Sequence, residues 1–410
     1  MIPSNLLIYL GIALILGFLL GKTTNWLRLT AIVGYIIAGI ILGPIMGYVM
    51  EEGLSSDTMN MIVDVTLGLV GFIIGVGFTK GFLRRFGKMA IAIAIIQSTM
   101  TFVIILIGAT IITRDINLAL ILAVIGLATA PAGTVAAIHF VRGRGQLSRM
   151  TIAVVGIDDG IAIIYFVFVL SIVKFLMGGE LPIYDLITLP IIEIGGAVFF
   201  GVIFGGTLAY LGKLVKHRED IFIIAIGLLF LNIGICELVK SSAILACMIM
   251  GIIFINLAPQ IGRTTHTSIE TLLPPVYVVF FAIAGLELSF QYNSLISFGI
   301  LSTIGIIIVY IVYRILGKIT GALVAGKSLH SSQVIQKYLG FALLSQAGVA
   351  IGLAIYASNE LSTLSGGEEL GALVIAIITL STIFFEIIGP IGVKYALIRA
   401  GEAHEPKTTD

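Results

Sequence analysis

The sequence predicts an all-α polytopic membrane protein of about thirteen transmembrane helices. Three observations carry the prediction. Of 410 residues, 59% are hydrophobic and only 11% are charged, against roughly 45–50% and 25% in soluble domains. The apolar runs reach the roughly 20 residues a helix needs to cross a bilayer, and they lack the roughly 10-residue alternating segments of an outer-membrane barrel. Lys and Arg, finally, collect in every second connection between those runs. The balance of 23 basic and 22 acidic residues leaves no polycationic face for nucleic acid, and 2 cysteines cannot build a disulfide scaffold or a zinc cage. Soluble enzymes, DNA binders and secreted mini-proteins are excluded.

The first span, about 5–21, has no basic leader and no small-residue cleavage site, so it is expected to be retained and not removed as a signal peptide. The next three fall at about 30–49, 59–79 and 88–112, and the span at 59–79 carries the glycine run Gly68, Gly71, Gly75 and Gly77 that lets helices approach closely. The fifth and sixth, about 117–140 and 149–177, hold the polar residues discussed below. A seventh at about 185–213 is again rich in glycine (Gly195, Gly196, Gly201, Gly205, Gly206). The remaining six are read at about 219–239, 242–259, 270–288, 294–325, 333–358 and 368–400.

Orientation follows from the basic residues, because short loops rich in them stay cytoplasmic. Connections after odd-numbered spans, with the tail, hold 18 of the 23, among them Arg28, Arg85, Lys216 and Lys407, whereas the even side has only Arg114, Lys174 and Lys240. The expectation is a cell-membrane protein with its N-terminus outside and its C-terminus cytoplasmic. Thirteen spans also admit an inverted-topology repeat, as in many secondary transporters. In that reading a transmembrane domain at 1–400 comprises a first repeat at about 5–177, a linker helix at about 185–213 and a second repeat at about 219–400, followed by a short cytoplasmic tail at 401–410.

The strongest chemical signal is Gly156-Ile157-Asp158-Asp159-Gly160, two adjacent carboxylates inside an apolar span. An ionised Asp at the bilayer centre costs roughly 2.5–3.5 kcal/mol on insertion scales, so such residues face a bundle interior or water and are functional by default. The plainer alternative is a structural carboxylate bonded to a neighbouring helix. Successive helical residues project about 100° apart, so the two acids divide the labour: one lines a cavity as cation ligand and proton acceptor, the other meets a basic side chain. Burial disfavours a carboxylate's charge and a nearby cation favours it, so proton and metal ion can compete for one group. Such competition is antiport chemistry.

Thr129-Ala130-Pro131 is the second signal, since Pro131 removes a backbone donor and frees carbonyls at membrane depth. Broken helices there are tolerated where they line a cavity, and their carbonyls and hydroxyls bind ions. Thr129 and Thr134 are candidate oxygen donors to a hard cation. The twelfth span has Ser345-Gln346-Ala347-Gly348 at a comparable depth. The third signal is Arg314 and Lys318, one turn apart on one face of the eleventh span. Either can balance an Asp, and only Lys318 can give up its proton; equally, both can snorkel to the cytoplasmic interface. Gln97, Asn232, Glu193 and Glu386 read as packing partners, and His217, His266, His330 and His404 as solvated loop or tail residues. No phosphate-binding loop of the GxxxxGK[ST] type occurs, so the expected energy source is an ion gradient and no cofactor is expected beyond transported sodium and protons.

With the acid pair, the proline break and the span count in hand, the chain resembles the cation/proton antiporter superfamily, in its second branch of sodium/proton exchangers and related potassium exporters. The resemblance runs nearly end to end: Val33–Pro44 in the second span, Thr129-Ala-Pro131, Gly156-Ile-Asp-Asp159, Pro275–Glu287 and Ser345–Gly352. It implies a homodimer serving sodium transport and pH homeostasis, each protomer with a dimerisation domain and a mobile core of spans 4–6 and 11–13, in which spans 5 and 12 are broken and cross. It implies Asp159 as the ion-binding carboxylate, Asp158 as its neighbour paired with a base on the eleventh span, and Thr129 as a nearby oxygen donor. The adjacent acids look like those of electrogenic members. Ala130 stands where many relatives in the other branch have Asp, residues 345–349 lack the acid of some potassium exporters, and no C-terminal nucleotide-binding domain is expected after Ala400. The resulting expectation is a sodium (or lithium)/proton antiporter, with a potassium/proton exchanger regulated by a separate subunit as the alternative. An intramembrane aspartyl protease needs two carboxyls sharing a proton from separate elements, which adjacent acids on one helix do not supply.

Overall fold

A computed structural model describes residues 6–26, 30–50, 56–82, 84, 87–178, 184–215, 217–290 and 299–403. The loop and tail residues Arg28, Arg85, Lys216, His404 and Lys407, and the first residues expected of the spans at 5–21 and 294–325, lie outside the described residues. Among the described residues the regular structure is entirely helical. Besides a single turn at Lys80–Phe82, the helices are α1 (Leu6–Trp26), α2 (Ala31–Met50), α3 (Ser56–Gly77), α4 (Lys88–Thr113), α5 (Ile116–Ile125), α6 (Pro131–Phe140), α7 (Gln146–Leu176), α8 (Asp185–Leu214), α9 (Arg218–Leu238), α10 (Ala243–Leu257), α11 (Pro259–Phe290), α12 (Ile300–Ser328), α13 (Gln333–Ala342), α14 (Gly348–Leu361) and α15 (Gly367–Arg399).

Each of the thirteen expected spans is found, and the fifth and twelfth are each split into two half-helices, α5 with α6 and α13 with α14. Eight of the described helices are long and apolar enough to cross a membrane unaided. The tenth span differs from expectation. α11 starts at Pro259, well before the apolar stretch, because its polar first turns satisfy themselves: the hydroxyls of Thr264, Thr265, Thr267 and Ser268 each donate to the carbonyl four residues back, and His266 pairs with Glu270 at 3.4 Å. His266 is therefore a helical residue and not the loop residue expected.

The chain divides into two compact units, Met1–Leu83 with Leu181–Phe290, and Arg84–Glu180 with Gln291–Asp410. The first contains α1–α3 and α8–α11. Its core gathers Leu69, Phe72, Leu208, Leu229, Ile233 and Phe254, with the rings of Phe72 and Phe254 stacked at 6.2 Å. Here Gly68, Gly71, Gly75, Gly196, Gly201 and Gly205 form the seams expected of them, whereas Gly77, Gly195 and Gly206 adjoin open space. A methyl group added at Gly71 would lie 2.7 Å from the Ile244 carbonyl oxygen, and one at Gly201 2.6 Å from that of Ala246. Neither α3 nor α8 could approach α10 so closely with a larger residue.

The second unit contains α4–α7 and α12–α15. α5 is buried along all of Leu118–Ile125, and its start is fixed by Asp115, whose carboxylate accepts from the amides of Asn117 and Leu118 at 2.8 and 3.2 Å. α7, which carries the acid pair, has buried residues around most of its circumference. α4 and α12 are instead apolar on their exposed sides, as at Ile107, Ile111, Leu301 and Ile308, which suits lipid-facing helices.

Candidate ion-binding site

The site is built from the two breaks, both in the second unit. α5 ends at Ile125 and α6 restarts at Pro131, which occupies the first helical position where a missing N–H costs nothing. The carbonyls released between them need donors, and α12 supplies them. Arg314 Nε donates to Gly126 O at 3.0 Å and its Nη2 to Ala128 O at 2.7 Å, while Lys318 Nζ donates to Leu127 O at 2.6 Å. Two cations thus sit at the negative end of the α5 dipole.

The same guanidinium closes the second break. Arg314 Nη1 donates to Leu344 O at 2.7 Å and Nη2 to Ser345 O at 3.2 Å, and Ala130 N donates to Ser345 O at 3.1 Å. The two interruptions, more than 200 residues apart in sequence, are tied together through one arginine. Its planar group also lies over the Phe385 ring, 4.3 Å from the centroid, a cation–π contact strengthened by the absence of water. Gln346 reaches back to Tyr310 Oη at 2.8 Å and more weakly to Ile125 O at 3.5 Å.

Lys318 is the partner of Asp158. Its ammonium uses its remaining donors on Asp158 Oδ2 at 3.0 Å and Thr129 Oγ1 at 2.8 Å. Thr129 Oγ1 in turn donates to Asp158 Oδ2 at 2.8 Å, and Gln97 Nε2 donates to Oδ1 at 2.7 Å. Asp158 is thus fully satisfied. Asp159 points elsewhere, as two neighbours on a helix must: its Oδ1 accepts only the Thr129 amide, at 3.3 Å, and its Oδ2 is buried with no hydrogen-bond partner. Both acids, both bases and Thr129 are at most 1% exposed.

Several expectations are thereby corrected or made specific. Neither Arg314 nor Lys318 snorkels, since both lie in mid-helix and are wholly buried. Arg314 has no carboxylate within ion-pair distance among the described residues and binds carbonyls instead. The Thr134 hydroxyl donates to Ala130 O at 3.0 Å, across the start of its own helix, and its oxygen keeps its lone pairs. The Ser345 hydroxyl is buried without a partner. Gln97, read as an interhelical hydrogen-bond partner within the packing, is the third partner of Asp158. What brings it there is the pair Gly317 and Gly321 on α12, where a methyl group would lie 2.9 Å from Thr101 Cα and 2.7 Å from Gln97 O respectively. α4 therefore lies against the bare backbone of α12. The polar run Gln97, Ser98 and Thr101 in an otherwise apolar helix is the signal that marks that face.

A family model described as the transmembrane sodium/hydrogen exchanger matches residues 11–397. The chain belongs to the sodium/hydrogen exchanger family. It is thus a multi-pass membrane antiporter and not an enzyme. Two solved structures of the sodium proton antiporter MjNhaP1 from Methanocaldococcus jannaschii share its fold. One, at pH 8, superposes with a TM-score of 0.76 at 18% identity over 96% of this chain and 97% of that one. An electron-microscopy structure gives 0.68 at 18% identity over 98% and 100%. No curated protein matches the chain. In this exchanger the breaks, the acid pair and the buried bases all fall within the residues matched by the family model.

Proposed function

We propose that this exchanger moves sodium or lithium against protons, the cation and the proton competing for the Asp159 carboxylate. One observation carries the reading: Asp158 has three side-chain donors, one of them the Lys318 ammonium, whereas the adjacent, equally buried Asp159 has a free oxygen and a single weak amide donor. A desolvated carboxylate left in that state needs a proton or a cation to offset its lost hydration. It takes one or the other, and the exchange of one for the other is antiport.

Lys318 supports an electrogenic cycle. It is the one base at the site able to give up a proton, so arrival of one monovalent cation can release a proton from Asp159 and a second from Lys318. All the groups involved belong to the second unit, which supports alternating access by movement of that unit as a body, in the manner of an elevator. The resemblance further supports a homodimer, and the basic loops support an N-terminus outside and a C-terminus in the cytoplasm.

The test is proton flux into proteoliposomes on addition of sodium, lithium or potassium in turn, with and without an imposed voltage. Wild-type protein is expected to respond to sodium or lithium and to accelerate with voltage of the right sign. Asp159→Asn is expected to abolish cation-dependent proton movement while keeping helix content and elution volume. Full exchange in that variant removes Asp159 from the site.

A further inference from the structure

The helix that carries both acids begins without a cap of its own. α7 starts at Gln146 after Gly145, which has no side chain to offer its first amides. The acceptor comes from 255 residues further along the chain. Glu402 Oε1 accepts from Leu147 N at 2.7 Å, and Oε2 accepts from Ser148 N at 2.9 Å and Ser148 Oγ at 2.8 Å. Glu402 O also accepts from Arg144 N at 3.1 Å. The glutamate is only 8% exposed although it follows the last helix.

Local sequence delivers it there. α15 ends at Arg399, Gly401 takes the left-handed conformation at φ 69°, and two bonds close the turn: Gly401 N to Ile398 O at 3.1 Å and Glu402 N to Leu397 O at 2.9 Å. This is the helix ending that an αL glycine permits. On the receiving side a side chain at Gly145 would collide with the Glu402 carboxyl. Two glycines, one on each segment, thus make room for one acid.

We propose that Glu402 is a positioning residue for ion exchange, holding the start of α7 in the register at which Asp158 and Asp159 meet Thr129. Thr129 stands two residues before the second half-helix of the break, with only Ala130 between, and only residues 141–145 join that half-helix, α6, to α7. The Arg144 amide and the first turn of α7, both gripped by Glu402, therefore define the joint between the two partners. The bonds at stake span 2.8–3.3 Å, and hydrogen bonds weaken steeply beyond that range. At the far end of α7, Lys174 pairs with Glu360 at the end of α14. The acid-bearing helix is thus held at both ends by glutamates from the second half of the chain. The proposal rests on the role assigned to Asp159.

The experiment compares the full-length wild type with Glu402→Gln and Glu402→Ala in two readouts. Amide hydrogen exchange in the first turn of α7 is expected to be about fivefold faster in both variants, the usual consequence of losing a cap. In proteoliposomes the apparent KM for sodium is expected to shift severalfold, with the fold intact. Ser148→Ala, which removes one of the three bonds, gives a smaller shift in the same direction and serves if the Glu402 variants do not fold. Ser242→Ala removes the cap of α10 in the other unit and leaves KM unchanged. Loss of protection at α7 with an unaltered KM overturns the proposal, as does an equal KM shift in Ser242→Ala. A wild type that exchanges no ions would instead sink the role of Asp159, and the hydrogen-exchange readout would still report whether Glu402 caps the helix.

Discussion

Arg314 and Lys318 stand one turn apart on α12 and meet different partners. The lysine carries three donors and places them on a carbonyl, a hydroxyl and a carboxylate. The arginine spreads a planar fork over four carbonyls from two interruptions. The pair was legible as two bases on one helical face. Which one would meet Asp158 was not, because that choice depends on where the two breaks leave their carbonyls, and that Gln97 would bond to Asp158 in particular was unreadable for the same reason of tertiary placement. A lysine at 314 could not reproduce the fork. Arg314→Lys is expected to cost on the order of 3 kcal/mol of stability, from several lost charge-assisted bonds to buried carbonyls, read as a lowered Tm in detergent. Lys318→Gln is expected to keep its fold and lose the voltage dependence of exchange. The opposite pattern, a stable Arg314→Lys and an unfolded Lys318→Gln, would reverse the roles assigned to them.

Among the elements, the spans themselves were legible because hydrophobic length is local. The break in the fifth span was also legible, since Pro131 announces it. The twelfth span has no proline, and its break was legible only from the polar run Ser345–Gly348 and the resemblance; the Arg314 bonds from another helix that sustain the unwinding at 343–347 are not visible in any local pattern. The start of α11 escaped for the opposite reason: hydropathy stops at its polar first turns, but back-bonded hydroxyls keep them helical. The approach of α4 to α12 is the packing contact on which the site depends. Gly321→Val would drive its side chain into Gln97 O, so the helices must separate and withdraw the amide from Asp158. Such overpacking costs typically 1–3 kcal/mol, and exchange activity is expected to fall with it. Normal activity and stability in Gly321→Val would show that this approach is not required.

For the molecule as a whole, the breaks, the bases and the acids belong to one of two compact units, and the chain is a member of the sodium/hydrogen exchanger family. The sequence motifs pointed to that family because membrane-depth charge is costly enough to be rare. The grouping of distant spans into units depends on packing, and the resemblance, not composition, carried that expectation. As proposed, exchange by this protein turns on a single carboxylate with two rival occupants. Its most direct test is the rate of exchange in proteoliposomes as a function of sodium concentration at a series of pH values. Competition predicts that the apparent KM for sodium rises as pH falls while the maximal rate holds. A constant KM with a falling maximal rate, or sodium crossing without a proton counterflow, would contradict it.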